Sequence, residues 1–330
     1  MNTHNELTDN PKLLLDKIYG ALVGLAIGDS LGDAARNQEN RVNYGFTTDF
    51  NPGASWSTDD TEFALLTAHT LIQCHGELTI DCVVKAWMEH VACEDDLKRG
   101  GASETEACNN LRRGVLPPYS GKYNAFGFSD GAAMRIAPIG MICPGDPEKA
   151  VRMAEADACV SHYREGIWGA QAVAAAVSVA MTDAAIDEII DTAISFIPKN
   201  SWLYYAMNKA LDLVNEKEGR IMDIWMPLHD LLRTSSWAAA AEAIPASFAC
   251  LKMENATFRS GVILAGNFAR DADTIGAVAG AILGAKYGAN AIPDYWKEKT
   301  RYPTGTCLSF TKGLDIYEMA QKLTGITIGE

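Results

Sequence analysis

No C-x-x-C pair occurs anywhere in this chain, although it has eight cysteines: Cys74, Cys82, Cys93, Cys108, Cys143, Cys159, Cys250 and Cys307. Most of these thiols fall inside helical patterns. They read as reduced core residues rather than as a disulfide or zinc framework. Positive charge is scarce as well, with 28 Lys and Arg against 42 Asp and Glu and a net charge of -14. Nucleic-acid backbones are bound by basic side chains that release counterions from phosphates, so nucleic acid is excluded as the main partner. An anionic small molecule would need local positive charge. Long apolar runs are also missing. The longest, near residues 18–27 and 274–285, are too short for a bilayer and are broken by glycine, so no membrane partner is expected. The start, Met1-Asn2-Thr3-His4-Asn5-Glu6, lacks the basic region and apolar core of a signal peptide, which points to a cytoplasmic protein.

Alternation of the strand type is confined to short pieces near residues 42–50 and 304–310. Helical periodicity fills most of the rest, at residues 13–33, 79–93, 182–197, 201–218, 236–252 and 314–323. With 48 % hydrophobic residues, no low-complexity tract and no linker, the chain reads as one nearly all-α domain spanning residues 1–330. Residues 34–56 and the stretch from Pro117-Pro118 to Phe128 read as long loops, which inside a compact domain are often functional. Ser103-Glu104-Thr105-Glu106 has the spacing of a capping box. Asp146-Pro147-Glu148 opens a helix in the preferred cap-then-proline order.

Two stripes of glycine stand out. Gly20, Gly24, Gly28 and Gly32 recur every four residues, and so do Gly276, Gly280, Gly284 and Gly288. Each glycine costs a helix up to about 1 kcal/mol, so four in register need a return, and close approach of two backbones supplies one. The two helices are therefore expected to pair, bringing Asp29 and Asp33 near Asp271.

The second helix opens with Asp271-Ala272-Asp273-Thr274. One carboxylate suffices to cap a helix. Two within about 4 Å repel by roughly 4 kcal/mol at an effective dielectric of about 20, so a positive group is expected between them. Ser57-Thr58-Asp59-Asp60-Thr61 repeats this composition at another helix start. Converging, the two mouths offer an all-oxygen cage suited to Mg²⁺, Mn²⁺ or Ca²⁺ rather than zinc. Small residues in Ser129-Asp130-Gly131-Ala132-Ala133-Met134-Arg135 leave helix N–H groups accessible, or provide an ordinary cap. His162 lies at a helix junction, where a lone histidine is more often structural than catalytic.

In order, these blocks resemble the ADP-ribosylglycohydrolase family: Gly20 to Gly32 with Gly28-Asp29-Ser30-Leu31-Gly32, Thr58-Asp59-Asp60-Thr61, Asp130 to Arg135, His162, and Asp271-Ala272-Asp273-Thr274-Ile275-Gly276. The resemblance spans about residues 16–290. It implies a compact orthogonal bundle of helices, two divalent metal ions (Mg²⁺ or Mn²⁺) on Thr58, Asp59, Asp60, Asp271, Asp273 and Thr274, and cleavage of a glycosidic bond of an ADP-ribosyl group. It also implies that Ser129, Asp130, Gly131 and His162 line a ribose and phosphate pocket. Arg36 stands where family members commonly have a glutamate. A guanidinium stays protonated and is no base, so either Asp33, Asp130 or a metal-bound hydroxide takes that role or the reaction differs; Asp33, Asp60 and Asp130 are the candidate catalytic residues. Ser129-Asp130-Gly131 replaces the usual Gly-Asn-Gly, adding negative charge, and Arg270 adds a positive group. Arg36 and Arg270 are accordingly expected to bind substrate, either a small molecule or an ADP-ribosylated one. A ribonucleoside or ribosyl-metabolite hydrolase, and a non-catalytic ADP-ribose-binding protein, are the alternatives.

Overall fold

Glycine decides how the two ends of the chain meet. The structure, a computed structural model, describes residues 3–36, 45–50, 57–253 and 257–329. Helix Pro11–Arg36 runs antiparallel to helix Ala272–Tyr287, and this is the most extensive helix pairing among the described residues. A Cβ placed on Gly28 would overlap the carbonyl of Gly276, one on Gly24 that of Gly280, one on Gly20 that of Gly284, and one on Gly32 that of Ala272. The reciprocal substitutions meet the same obstruction, because each Cβ would fall where the partner's backbone runs. Gly288 lies one residue past the second helix, with φ 75°, and stops it.

Both helices are apolar nearly all round, as interior helices must be. Around them lie Asp59–Gln73, Glu165–Ala180, Ala240–Lys252, Phe258–Gly266 and Ile316–Ile328, most of which contribute to one continuous hydrophobic core. Among the described residues no strand forms, so the fold is the all-α helical bundle expected. Residues 304–310 hold only part of a 3-10 turn, Ser309–Thr311, because Glu62 rather than a neighbouring strand accepts the N–H groups of Thr306, Cys307 and Leu308. Of the 42–50 piece, residues 42–44 lie outside the described residues and the rest is irregular; the 34–56 loop is likewise described only in part.

Three local expectations shift. Helix Ala102–Arg112 starts at Gly101, so Ser103 lies inside its first turn and forms no capping box; its hydroxyl turns to Glu104 instead. Tyr119–Lys122 makes a short helix inside the 117–128 loop, and Ile221–Leu232 is a helix that was not anticipated. Asp146 does cap helix Pro147–Ala158, accepting from the Lys149 N–H. All eight cysteines are free; Cys93 is exposed, Cys74 and Cys82 are half-buried, and the others are buried. No helix among the described residues is long and apolar enough to cross a membrane.

Candidate active site

The glycine contact sets the site by bringing the end of one helix over the start of the other. Gly28 against Gly276 places Asp29 beside the Asp271 to Thr274 turn. Asp29 is fully buried, and its carboxylate receives the Thr58 N–H at 2.9 Å, the Thr58 hydroxyl at 2.7 Å and the Thr61 N–H at 3.2 Å. It thereby fastens the mouth of helix Asp59–Gln73 onto the glycine pair. Thr58 caps that helix by accepting from the Asp60 N–H, so its hydroxyl is largely committed.

Asp271 is the N-cap of its own helix but makes no capping bond with its side chain. The Asp271 side chain is thus not spent on its own helix and lines the cleft. The positive group expected between Asp271 and Asp273 is Arg36. Its Nη1 pairs with Asp273 Oδ2 and lies 3.5 Å from Asp271 Oδ1, and its guanidinium lies 5.4 Å from the centre of the Trp237 ring. Burial alone would lower the Arg36 pKa, but Asp273 and then Asp271 hold it above its ordinary value.

One guanidinium does not balance this centre. Burial, followed by the charge of neighbouring carboxylates, pushes Asp59 and Asp60 well above the usual carboxylate range, and Asp29 to about 6. Asp271 and Asp130 are pushed up as well, chiefly by burial. One oxygen each of Asp60, Asp130 and Asp273 is buried with no hydrogen-bond partner among the described residues. Buried oxygens left in that condition are uncommon and costly. A carboxylate oxygen from each of Asp29, Asp60 and Asp273 lies within 4.8 Å of the others, a buried all-oxygen set that fits a hard divalent cation.

The remaining expected residues divide. Arg36, Asp59, Asp60, Ser129, Asp130, Gly131, Asp271 and Thr274 line one cleft together. Asp33 faces Arg99 and Arg36, with Arg36 Nε 4.0 Å away. Arg270 does not turn to the cleft: its Nε and Nη2 hold Glu242 at 2.6 and 3.1 Å, and Nη2 also donates to the Thr234 carbonyl. Its backbone lies in the left-handed region, φ 59° after Ala269 at φ 72°, a conformation natural to glycine.

His162 is fully buried behind the cleft wall, between Ser161 Oγ at 2.7 Å and Ser129 Oγ at 2.9 Å. Arg135 donates to Ser161, so Ser161 donates to Nδ1, which leaves the proton on Nε2 for Ser129. Ser129 then donates to Ser103, and Ser103 to Glu104, which Arg135 also approaches. Burial, aided by Arg135, lowers the His162 pKa well below normal and keeps the ring neutral. The chain of donors ends on Glu104, whose carboxylate sits between Gly101 and Gly131 on the cleft wall. Sequence reasoning missed Glu104, which it passed over as an interior position of the Ser103 to Glu106 capping-box spacing, and missed Arg135 and Glu62 as buried anchors. It also left Arg99 and Trp237 of the cleft unassigned; their isolated positions carry no periodic signal.

Fold and site together define an all-helical protein with an oxygen-rich acidic centre at the floor of a cleft. The sequence profile described as ADP-ribosylglycohydrolase matches residues 10–328, and the chain belongs to that family. It is 26% identical to an ADP-ribosylarginine hydrolase Tri1 of Pseudomonas putida, over 89% of this chain and 77% of the relative. It is 24% identical to the ADP-ribosyl-[dinitrogen reductase] glycohydrolase of Rhodospirillum rubrum, over 86% and 90%. A solved structure titled an ADP-ribosylglycohydrolase-related protein complex has a similar fold, with a TM-score of 0.67, 22% identity, and coverage of 96% of this chain and 99% of the other.

Proposed function

We propose that this chain hydrolyses the glycosidic bond at the anomeric carbon of an ADP-ribosyl conjugate or a related N-riboside, and that Mg²⁺ or Mn²⁺ at the acidic centre is required. The supporting observation is twofold: Asp60 and Asp273 each keep a buried oxygen with no partner among the described residues, and carboxylate oxygens of Asp29, Asp60 and Asp273 lie within 4.8 Å of one another. Family membership supports the ADP-ribosyl substrate class. Asp60, Asp273 and Asp29 would hold the cation, with Asp59, Asp271 and Thr274 beside them. A divalent cation held there would polarise ribose hydroxyls and offset charge as the glycosidic bond breaks.

The chain's own groups do the rest. Arg36 cannot accept a proton, and Asp33 is held by two guanidinium groups. With the free oxygen of Asp60 committed to the cation, Asp130, which keeps a free buried oxygen on the cleft floor, is the group placed to take a proton from water or return one to the leaving group. Ser129 and Gly131 shape the wall beside them, with His162 supporting Ser129 from behind.

The leaving group is narrowed by charge. Both arginines that line the cleft, Arg36 and Arg99, already pair with carboxylates, while Asp130 and Glu104 add acid. That balance favours a riboside without a pyrophosphate at this wall as the second reading. Incubation with Mn²⁺ and ADP-ribosyl-arginine, ADP-ribosyl-serine and ribonucleosides, followed by mass spectrometry, tests both. Release of free ADP-ribose supports the first reading, and release of ribose from a nucleoside the second. Binding of ADP-ribose without turnover of any substrate contradicts hydrolysis.

A further inference from the structure

Asp273 divides the acidic centre into two sides. On one side its Oδ2 is paired with Arg36 Nη1, which also reaches Asp271 Oδ1 at 3.5 Å. On the other its Oδ1 is buried and has no partner among the described residues, as is true of Asp60 Oδ1. A carboxylate oxygen of Asp29 and one of Asp60 lie within 4.8 Å of each other and of an Asp273 oxygen. Arg36 is fixed in place from below as well: it ends the glycine helix, with Asp33 one turn back and Trp237 against its guanidinium.

We propose that the Arg36 guanidinium stands in for one of two cations, so that the centre takes a single divalent ion, on the Asp60 side. The inference rests on the divalent-cation reading above and concerns the number of ions. A guanidinium keeps its charge at any working pH, and it is tethered to the same helix that carries Asp29 and Asp33. Its charge and a divalent ion's would repel across the Asp271 and Asp273 oxygens with twice the energy of two unit charges. Asp60 Oδ1 and Asp273 Oδ1, in contrast, have no hydrogen-bond partner among the described residues. The same replacement accounts for an arginine at a position where the family resemblance implies a glutamate: an acidic residue there would favour a second cation, whereas arginine takes its place. Substrate would then meet one metal ion and one guanidinium, and its position would depend on donors that Arg36 can still offer.

The test is manganese stoichiometry on the full chain, read by elemental analysis after desalting and by electron paramagnetic resonance, with no dependence on turnover. The wild type should hold one Mn²⁺ per chain and give the spectrum of an isolated ion. Arg36→Glu should hold two and give an exchange-coupled spectrum, and Arg36→Lys should remain at one. Should Arg36→Glu fail to fold, Arg36→Gln removes the charge at similar size and should likewise gain the second ion. Two coupled ions in the wild type would overturn this inference alone. No manganese in any of the proteins would overturn it together with the divalent-cation reading.

Discussion

Two buried polar clusters lie on either side of the cleft wall, and they differ in how completely they are satisfied. Around Arg135, the hydroxyls, imidazole and carboxylates of Ser161, His162, Ser129, Ser103, Glu104 and Asp157 close into a network with a consistent direction for every proton. In the acidic centre, Asp60, Asp130 and Asp273 each retain an oxygen with no partner, and several carboxylates face one guanidinium. The first arrangement holds the wall in place; the second leaves free valence for a ligand. Burial alone does not separate them, since the acidic side chains of both clusters are buried. What separates scaffold from chemistry here is whether the polar atoms are already spent on the protein.

The comparison breaks most severely at Arg135. Arg135→Met strands Asp157 and the Ser161 hydroxyl, and the expected loss of stability is about 3–5 kcal/mol, as for removal of one partner of a buried pair. Urea unfolding would measure it. Next comes Gly28→Ala, whose added methyl overlaps the Gly276 carbonyl, with an expected loss of about 1–3 kcal/mol or more and a weakened hold on Asp29. The acidic centre should answer with the opposite sign. Asp60→Asn removes one of several crowded charges and should raise the stability of the metal-free protein by about 0.5–2 kcal/mol while abolishing turnover.

pH separates the clusters more gently. The carboxyls of the acidic centre have folded pKa values above their unfolded ones, so the folded state binds more protons. Metal-free stability should therefore fall as pH rises from about 4 through the Asp29 value of about 6 and beyond, and added Mn²⁺ should reverse the loss. His162 is depressed, so its effect runs the other way. Its contribution is lost as pH falls below the unfolded histidine value of about 6.5, where the unfolded ring gains a proton that the folded one refuses. Thermal unfolding from about pH 5 to about pH 8, with and without metal, resolves both. The smallest change is expected at Arg270→Gly. There, relief of a left-handed backbone, of order 1 kcal/mol, is set against loss of a two-pronged bond to Glu242, leaving a net shift within about 1 kcal/mol.

Much of this was legible in the residues before any coordinates. The glycine stripes named the helix pair and its consequence for Asp29, because a four-residue repeat of glycine has few explanations other than backbone contact. The doubled carboxylate at Asp271 and Asp273 called for a neighbouring positive charge, and Arg36 supplies it. Illegible were the interactions that depend on remote residues turning inward. Glu104 is only a middle position of the Ser103 to Glu106 capping-box spacing, yet it lies against Arg135, Gly101 and Gly131. Arg270 looks like a substrate cation beside Asp271, yet Glu242 draws it away from the cleft. Local spacing predicts which backbone will be helical and close; it does not say which of several partners a long charged side chain will choose.

The central claim is that the two acidic helix mouths share a divalent cation. Anomalous diffraction at the manganese edge, from crystals grown with Mn²⁺, addresses it directly. A peak within coordinating distance of the carboxylates of Asp60 and Asp273, with Arg36 still against Asp271, is the result expected; density there with no anomalous signal, or manganese only at surface carboxylates, would contradict it.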